Sequence, residues 1–313
     1  MDELPIAVVG SLMMDMVIRA PRLPLVGESL LAHDFGMFVG GKGGNQALAA
    51  RLAGGGPVSM IGRVGDDLFG QRIVGTLESA GVDCSHVIRD KTTTTGVAVP
   101  IVFDDGRNSI LAVPQANLRM TPEQVDEAAD TIRGARILLV QFEVNMDATL
   151  QAMRVARAAD VPVMLNPAPI AQHPDEMLEL ATYVVLNEVE AAALVPEATG
   201  DHIREARTLL ARGPQAVFVT LGEAGSIVLS EGVEAFVPPF VVNAVDSVGA
   251  GDAYCGALAV ALAEGRKPVD AARFASAAGA LSVTRAGAAA SLPTRAEIEH
   301  LLNRHNGDAH PGH

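Results

Sequence analysis

The sequence predicts an α/β protein: a three-layer sandwich with a mostly parallel central sheet and a small β-sheet lid. Three observations support this prediction. After Asn117, uniformly apolar strand-like runs alternate with helical ones, as in parallel sheets that are covered on both faces. Each strand-like run ends in a polar or glycine-rich cluster, and open α/β sheets bind ligands at these carboxyl ends of their strands. Two β-prone segments, at about 12–38 and 95–114, precede this pattern and are expected to form the lid.

Length and charge limit the class of protein. A chain of 313 residues can bury a large core as one domain, 1–313. The formal net charge of −14 argues against a general nucleic-acid or membrane-surface binder, and no apolar run is long enough for a membrane span. The N-terminus has no signal-peptide pattern, so we expect a cytoplasmic protein. Cys84 and Cys255 are expected to be core thiols.

The first part of the chain is expected to contain short strands and two helices. Asp15 lies in a mostly apolar run, and it can be read as a turn carboxylate or as an acceptor for ligand hydroxyls. The glycine-rich loop 40–47 leads into a helix, and from it Lys42 and Asn45 can donate hydrogen bonds to a polar ligand. The other predicted elements are a strand at 6–9, the end of the first helix at Leu52, a strand at 58–64, a helix at 69–80, and a hairpin of strands at 95–103 and 109–113 turning at Asp104-Asp105-Gly106.

The second part is predicted to alternate helix and strand. Thr121-Pro122-Glu123-Gln124 has the capping residue, first-turn proline and Gln of a helix start. Strands are predicted at 137–142, 161–165, 183–186 and 216–220, and helices at 146–159, 268–284 and 294–305, followed by a disordered tail at 306–313. The strands end at Glu143, at Asn166-Pro167-Ala168-Pro169, at Asn187-Glu188-Val189-Glu190, and at Leu221-Gly222-Glu223-Ala224-Gly225.

The loop Asp246-Ser247-Val248-Gly249-Ala250-Gly251-Asp252 organises the predicted site. We expect it to follow an apolar strand and to open a helix through Ala263. A helix start with small residues favours a phosphate, because its first NH groups have no partner within the helix. Asp252 places a carboxylate at the same point. It can be a general base that accepts a proton from an attacking hydroxyl, or an ordinary acidic residue of a first helical turn.

These motifs resemble a known family. The loops 40–47 and 246–252 resemble the two signatures of the ribokinase-like carbohydrate kinases. The resemblance covers nearly the whole chain, and the other matching motifs follow in the family's order. They are Asn166-Pro167-Ala168-Pro169, Asn187-Glu188-Val189-Glu190, Thr220-Leu221-Gly222 and Val283-Thr284-Arg285-Ala286-Gly287.

The resemblance implies an ATP-dependent kinase whose β lid closes over a sugar and pairs with a second subunit in a homodimer. It makes Asp252 the catalytic base, with the loop of Gly249, Ala250 and Gly251 holding the transferring phosphoryl group. Its sugar-binding positions correspond to Met13, Asp15, Gly41, Lys42, Gly43, Asn45, Glu143 and Asp252. Its nucleotide positions correspond to Asn187, Thr220, Gly222, Gly225, Gly251 and Ser276, with Glu190 linked to Mg²⁺ and phosphate. Its monovalent-cation loop, which implies activation by K⁺, corresponds to Asp246, Val248, Ser282, Arg285, Gly287 and Ser291.

Met13 departs from the ribokinase pattern, which has an Asn two residues before the sugar-binding acid. A thioether cannot replace an amide as a hydrogen-bonding partner of a sugar hydroxyl. A site without such a partner leaves no buried polar group unpaired when the hydroxyl is missing, so it should accept a deoxygenated carbon. The motif Gly10-Ser11-Leu12-Met13-Met14-Asp15 and the lid motif Asn108-Ser109-Ile110-Leu111 are similar to those of 2-deoxyribose kinases in the same family. Met13 can also be simple packing in a ribose site.

The sequence therefore predicts transfer of the γ-phosphoryl group of ATP to the primary 5-hydroxyl of 2-deoxy-D-ribose or D-ribose. One alternative is a nucleoside kinase of the same family, since Met13 and Met14 could contact a base or a larger sugar. The other is a non-catalytic sugar-binding regulator on the kinase scaffold. An intact anion loop with Asp252 argues against the regulator, because binding alone needs no base.

Overall fold

The computed structural model describes residues 4–104, 107–195 and 200–308. Residues 105 and 106 of the predicted hairpin turn and residues 309–313 of the predicted tail lie outside the described residues. The last helix continues to Asp308, three residues into the segment that was expected to be disordered. Thr294 precedes this helix and caps it: its backbone NH donates to Oε2 of Glu297 at 2.8 Å, and its Oγ1 accepts from the backbone NH of Glu297 at 3.5 Å.

The strands form two separate sheets, which confirms the predicted fold class. In chain order they are β1 (Ile6–Val9), β2 (Met13–Ala20), β3 (Asp34–Gly40), β4 (Val58–Gly65), β5 (Val82–Asp90), β6 (Gly96–Phe103), β7 (Asn108–Val113), β8 (Ile137–Gln141), β9 (Val163–Asn166), β10 (Tyr183–Asn187), β11 (Ala216–Thr220), β12 (Ser226–Ser230) and β13 (Val233–Val237). The large sheet has the order β13-β12-β11-β10-β9-β8-β1-β4-β5, and the small sheet has the order β3-β2-β6-β7.

Helices cover both faces of the large sheet. They are α1 (Lys42–Leu52), α2 (Leu68–Ser79), α3 (Pro122–Glu127), α4 (Ala129–Arg133), α5 (Met146–Ala158), α6 (Glu176–Leu180), α7 (Glu188–Leu194), α8 (His202–Leu210), α9 (Ala250–Ala263), α10 (Pro268–Ser282), α11 (Ala288–Ser291) and α12 (Arg295–Asp308). The predicted start of α3 is confirmed, since Thr121 caps the helix and Pro122 occupies its first turn.

Two hydrophobic cores lie on the two faces of the large sheet. One packs β1, β4 and the edge strands against the long helices α1, α9 and α10. The other packs the opposite face of the same sheet against α3 to α8. Cys84 and Cys255 are both buried and free, which confirms the expected core thiols. Among the described residues, no helix is both long and apolar enough to cross a membrane.

The edges of the large sheet differ from the sequence-based prediction. β5, β12 and β13 were not predicted, and β12 and β13 run antiparallel to the strands before them. The strand expected immediately before Asp246 is wrong, because residues 238–245 contain no regular strand. Pro238 and Pro239 follow β13 directly, and proline cannot donate a backbone hydrogen bond to a sheet.

The small sheet is built from the two segments that were expected to form a lid. β2 lies in its centre, antiparallel to β3 and parallel to β6. A short link of Gly10 to Leu12 connects β2 to β1 of the large sheet, and Asn117 fixes this link. Its Oδ1 accepts from the backbone of Leu12 at 2.8 Å, and its Nδ2 donates to the Leu12 carbonyl at 3.0 Å. The base of the lid is therefore tied to the carboxyl end of the central strands.

Candidate active site

Asp252 lies at an open helix N-terminus. It is the third residue of α9, and only 6% of it is exposed. Gly249 precedes the helix in the left-handed region with φ of +83°, and a Cβ there would lie 2.8 Å from Cα of Ala288. A Cβ on Gly251, in contrast, would meet nothing within 4 Å. The backbone NH of Ala250 donates to the Ser247 carbonyl at 3.3 Å, whereas the helix start at Gly251 borders open space beside a buried carboxylate. An open helix N-terminus of this kind suits an anion.

A close contact between helices brings α1 to this carboxylate. Gly256 lies one turn after Asp252 on α9, and a Cβ there would be 2.5 Å from Cβ of Ala49 and 2.8 Å from the carbonyl oxygen of Gln46. Only glycine allows the two backbones to approach this closely. The predicted glycine-rich loop and the predicted base, far apart in sequence, are brought together by this packing.

Two amides of α1 hold the Asp252 carboxylate. Nδ2 of Asn45 donates to Oδ2 at 2.9 Å, and Nε2 of Gln46 donates to Oδ1 at 3.1 Å. The other atom of the Asn45 amide, Oδ1, is buried and has no hydrogen-bond partner among the residues the structure describes. A buried acceptor left in this state fits a ligand hydroxyl.

Glu143 closes the other side of the glycine-rich loop. Its Oε2 accepts from the backbone NH of Lys42 at 2.9 Å and from the hydroxyl of Ser11. Gly43 packs on the end of β1, where a Cβ would lie 2.6 Å from the carbonyl carbon of Gly10. Burial raises the pKa of Glu143, while the charge of Lys42 and the bond from Ser11 oppose that rise.

Asp15 lies in the same group of acids, on β2. Burial, together with the charges of Glu143 and Asp252, raises the pKa of Asp15 to about 7. Its carboxylate packs against Gly40 of β3, where a Cβ would lie 2.2 Å from Oδ2 of Asp15. Asp15 is thus a carboxylate that faces other acids, and this arrangement favours its role as a ligand acceptor over that of a simple turn residue.

Lys42 provides the positive charge of the site. Burial disfavours its charged form, but the carboxylates of Asp252, Glu143 and Glu190 act together and raise its pKa. The first two acids belong to the predicted sugar site, and Glu190 belongs to the predicted nucleotide site. The charge of the ammonium group is therefore stabilised by acids of both predicted sites.

Met13 is buried and lies two residues before Asp15 on β2. Successive side chains of a strand point to opposite faces, so Met13 and Asp15 share one face of β2 and Met14 lies on the other. Met14 belongs to the hydrophobic core between the sheet and α1, whereas Met13 is not part of that cluster. The structure thus separates the two methionines that the sequence presented together.

Asn187 and Glu190 form a reciprocal cap at the start of α7. Oδ1 of Asn187 accepts from the backbone of Glu190 at 2.8 Å, and Oε2 of Glu190 accepts from the backbone of Asn187 at 2.9 Å. Burial raises the pKa of Glu190, against the opposing effects of this bond and of Lys42. Nδ2 of Asn187 and the second oxygen of Glu190 take no part in the cap.

The other predicted nucleotide residues lie on or beside neighbouring strands at one end of the large sheet. Thr220 pairs with Asn187 on one side and with Ser226 on the other, and Oγ of Ser226 lies 3.5 Å from Oγ of Ser276 on α10. Gly222 has a φ of +55° with open space at its Cβ position, while a Cβ on Gly225 would lie 2.4 Å from the carbonyl oxygen of Val237. The structure brings Thr220 and Ser276 into one region, and Gly222 borders open space.

The predicted cation loop is held together by Asp246. Its two carboxylate oxygens accept from the backbone NH of Val248 at 3.0 Å and of Gly287 at 2.9 Å. Oγ of Ser282 and Oγ of Ser291 lie 2.7 Å apart. The side chain of Arg285 donates to Glu297, and since a guanidinium has no acceptor atom, only the backbone carbonyl of Arg285 can bind a cation. All six predicted residues therefore lie in segments that meet beside the anion loop.

A cavity of about 560 Å³ connects the lid to this loop. Asp15 and Phe38 line it from the lid, and Asp246, Val248 and Gly287 line it from the other side. Its size falls within the roughly 300 to 1,000 Å³ of small-molecule sites. A cavity of about 660 Å³ at the opposite end of the sheet, near Tyr183 and Glu231, contains none of the predicted site residues.

Comparison with known proteins places this chain in a family. The model of the pfkB family carbohydrate kinases matches residues 4–295. The chain belongs to the pfkB family of carbohydrate kinases. The resemblance seen in the sequence is thereby confirmed, and so is the expected enzyme class, an ATP-dependent carbohydrate kinase.

Two curated relatives span almost the full chain. A ribokinase of Bacillus subtilis is 39% identical over 298 residues, which is 95% of this chain and 99% of the relative. A deoxyribokinase of Salmonella typhi is 35% identical over 302 residues, which is 95% of this chain and 98% of the relative. Similarity of sequence therefore extends to kinases of both sugars.

Two solved structures have the same fold. An Arabidopsis thaliana ribokinase complexed with ribose and ATP has a TM-score of 0.85 at 32% identity, covering 96% of this chain and 99% of its own. A nucleoside kinase of Burkholderia thailandensis in complex with inosine has a TM-score of 0.83 at 25% identity, covering 96% and 97%.

Sequence reasoning overlooked the side chains that support the predicted residues. Ser11 donates to Glu143, and Gln46 donates to Asp252, yet neither was given a role. Gln141 and Asn166 contact the Gln46 amide from the ends of β8 and β9. A polar residue that ends an otherwise apolar central strand was the available signal for the last two.

Proposed function

We propose that this pfkB family kinase transfers the γ-phosphoryl group of ATP to the 5-hydroxyl of a pentose, 2-deoxy-D-ribose or D-ribose. One observation carries the proposal. The Asp252 carboxylate is buried between two amide donors at an open helix N-terminus, and it acts electrostatically on Asp15, Glu143 and Lys42. An acceptor for a hydroxyl proton and a site for a phosphoryl anion are thus adjacent.

In the proposed reaction, Asp252 accepts the proton of the 5-hydroxyl as its oxygen attacks the γ-phosphorus. The new P–O bond forms as the bond to the bridging oxygen of ADP breaks. The NH group of Gly251 donates to the oxygens of the transferring group, and so does that of Ala250 once it leaves the Ser247 carbonyl, to which it donates at 3.3 Å. The ammonium of Lys42 offsets the charge of these oxygens. Asp15, Glu143 and Oδ1 of Asn45 would accept from the other sugar hydroxyls.

The nucleotide would lie beside Asn187, Thr220 and Ser276. Open space at the Gly222 and Gly251 Cβ positions fits a ligand that follows the backbone closely. Magnesium is expected to be bound mainly by the phosphates with Glu190 on the protein side, and when bound it neutralises charge on the transferring group. The Ser282 and Ser291 hydroxyls and the carbonyls beside them are hard oxygen donors, which suit K⁺.

The choice of sugar depends on Met13. Its position on the Asp15 face of β2 supports contact with the sugar, where a thioether gives a 2-hydroxyl no hydrogen-bond partner. A ribokinase and a deoxyribokinase are both close relatives, so similarity alone does not choose between the sugars. We favour 2-deoxyribose, with ribose as the second substrate.

A nucleoside is the alternative acceptor. The cavity continues from Asp15 past Phe38 to Arg19, His33 and Phe103, which is more space than a pentose fills. The shared fold with a nucleoside kinase in complex with inosine agrees with such an extension. Adenosine and inosine, assayed beside the free pentoses, separate the two functions.

We also propose that the lid closes over the sugar and joins two subunits in a homodimer. Phe35, Ile110, Leu111 and Val113 are exposed apolar side chains of the lid sheet. Light scattering would give the mass of the particle, and a dimer that Leu111→Glu reduces to a monomer would support pairing through the lid. X-ray scattering with sugar and a nonhydrolysable ATP analogue would show whether closure compacts the protein.

The deciding experiment compares ATP turnover on ribose and 2-deoxyribose with Mg²⁺ and K⁺ present. A higher kcat/KM for 2-deoxyribose would support the deoxyribokinase function. A strong preference for ribose would mean that other groups read the 2-hydroxyl. No turnover with either pentose, together with turnover of a nucleoside, would replace the proposal with the alternative.

A further inference from the structure

The completely buried amide of Gln46 links Asp252 to the central strands. Its Nε2 donates to Oδ1 of Asp252 and to Oδ1 of Asn166, both at 3.1 Å. Its Oε1 accepts from Nε2 of Gln141 at 2.7 Å. Asn166 in turn donates from Nδ2 to the carbonyl oxygen of Val185 at 2.9 Å. The three amides thus form a continuous chain between α9, α1, β8, β9 and β10.

The direction of every bond in this chain is fixed by its ends. An ionised carboxylate and a backbone carbonyl can only accept, and they stand at Asp252 and Val185. Asn166 must therefore turn its NH₂ group to Val185 and its oxygen to Gln46. The NH₂ group of Gln46 must face both Asp252 and Asn166, which leaves its oxygen for Gln141. Rotation of the Gln46 amide by half a turn would place its oxygen against two acceptors.

Asn45 and Gln46 donate to different oxygens of Asp252, and they differ in whether the rest of their amide is bonded within the protein. Asn45 holds Oδ2, and its own Oδ1 is buried without a partner in the described part of the chain, so it is available to a ligand. Gln46 holds Oδ1, and all its polar atoms are occupied by protein groups. Binding of a ligand can reorient Asn45, whereas Gln46 is anchored independently of it.

We propose that Gln46 is a positioning residue, which fixes the plane of the Asp252 carboxylate toward the acceptor hydroxyl. The inference rests on the proposed function, in which Asp252 is the base. Gln46 acts through Asp252 and does not touch the sugar. A base displaced by about 1 Å can lose on the order of 100-fold in rate. Loss of the Gln46 hydrogen bond should therefore lower kcat and leave the affinity for the sugar unchanged.

The test is Gln46→Met, which keeps the length of the side chain and removes its donor. Gln124→Met is the matched control, because Gln124 is also buried and donates from Nε2 to the Gly62 carbonyl at 2.7 Å. Gln46→Met removes three buried hydrogen bonds and Gln124→Met removes one, so thermal unfolding should show a loss in both variants and the larger loss in Gln46→Met. We expect kcat with the preferred pentose to fall about 10- to 100-fold in Gln46→Met only, with sugar affinity by calorimetry within about threefold of wild type.

A second pair of variants keeps the test decisive if Gln46→Met does not fold. Gln46→Glu has the same size but no donor when ionised, so it should lose at least as much kcat. Gln141→Met removes the partner of Gln46 but not its bond to Asp252, and should lose less. Full kcat in either Gln46 variant, or an equal loss in Gln124→Met, would overturn the inference. A wild-type protein without turnover on any acceptor would instead overturn the proposed function on which it rests.

Discussion

Met13 and Asp15 lie on one face of β2, while Met14 between them packs in the hydrophobic core between the large sheet and α1. This relationship places a thioether beside a carboxylate that is proposed to bind the sugar. A thioether has no donor and only a weak acceptor for a hydroxyl. Substrate choice between two sugars that differ by one oxygen can therefore depend on this side chain.

Met13→Asn is expected to shift the preference toward ribose. The new amide can bond the 2-hydroxyl, and one hydrogen bond is worth about 0.5–1.5 kcal/mol, so the ratio of kcat/KM for ribose over 2-deoxyribose should rise about two- to tenfold. Steady-state kinetics on both sugars measures the ratio. Met16→Asn, on the opposite face of β2, is the control and should leave it unchanged. An unaltered ratio in folded Met13→Asn would mean that Met13 is packing.

Asp252→Asn is expected to remove the base and to keep the fold. General-base catalysis contributes on the order of 10²- to 10⁴-fold, so kcat should fall by that range, while the sugar dissociation constant changes only a few-fold. A coupled assay and calorimetry give the two values. Asp147→Asn, an exposed first-turn acid of α5, makes the same chemical change away from the site. Near-full turnover in Asp252→Asn would refute the assignment.

Asp15→Asn is expected to change how stability depends on pH. The folded protein raises the pKa of Asp15 from 3.8 to about 7, so it disfavours the charged form. Between these values the folded state binds more protons than the unfolded state, and wild-type stability falls as pH rises through this window. The variant lacks this loss, on the order of 1.4 kcal/mol for each pKa unit.

Urea unfolding at a series of pH values measures this effect. The free energy of unfolding of Asp15→Asn, relative to wild type, should increase from pH 4 to pH 7 and stay constant above it. The same variant should bind sugar poorly, because it loses a charged acceptor. A difference that is independent of pH would show that burial and the charges of Glu143 and Asp252 do not raise the pKa of Asp15.

Gly251→Ala is expected to separate stability from activity. Its backbone is helical and its Cβ would meet no protein atom within 4 Å, so the free energy of unfolding should stay equal or rise by about 0.5–1 kcal/mol. The new methyl group would occupy the proposed phosphoryl space, so turnover should fall at least tenfold. Retained kcat with ATP would show that the anion does not bind there.

Gly256→Ala is expected to damage stability and activity together. Its Cβ would lie 2.5 Å from Cβ of Ala49 and 2.6 Å from the backbone nitrogen of Ala50. Overpacking of this kind costs about 1–3 kcal/mol, and it would push α1 away from Asp252. Thermal unfolding and kcat should both decrease. Unchanged kcat despite lower stability would mean that the contact between α1 and α9 does not set the geometry of the base.

The local patterns of the sequence were sufficient for the alternation of helices with the parallel strands β8 to β11, but not for the antiparallel strands β12 and β13. They were also sufficient for the cap at Thr121 and for the two glycine-rich loops. Such patterns depend on neighbours within a few residues, which a sequence shows directly. The strand expected before Asp246 failed for a reason that was also local, since Pro238 and Pro239 end the sheet pairing there.

The sequence by itself determined which chemical groups the site contains: an acid after an anion loop, a lysine and asparagine in a glycine-rich loop, and acids at strand ends. Only the tertiary structure decided how they act on one another. Gln46 and Asp252 are 206 residues apart in the chain, and their hydrogen bond exists because Gly256 lets two helices touch. The raised pKa of Asp15 likewise depends on burial and on acids from other elements, which no local pattern contains.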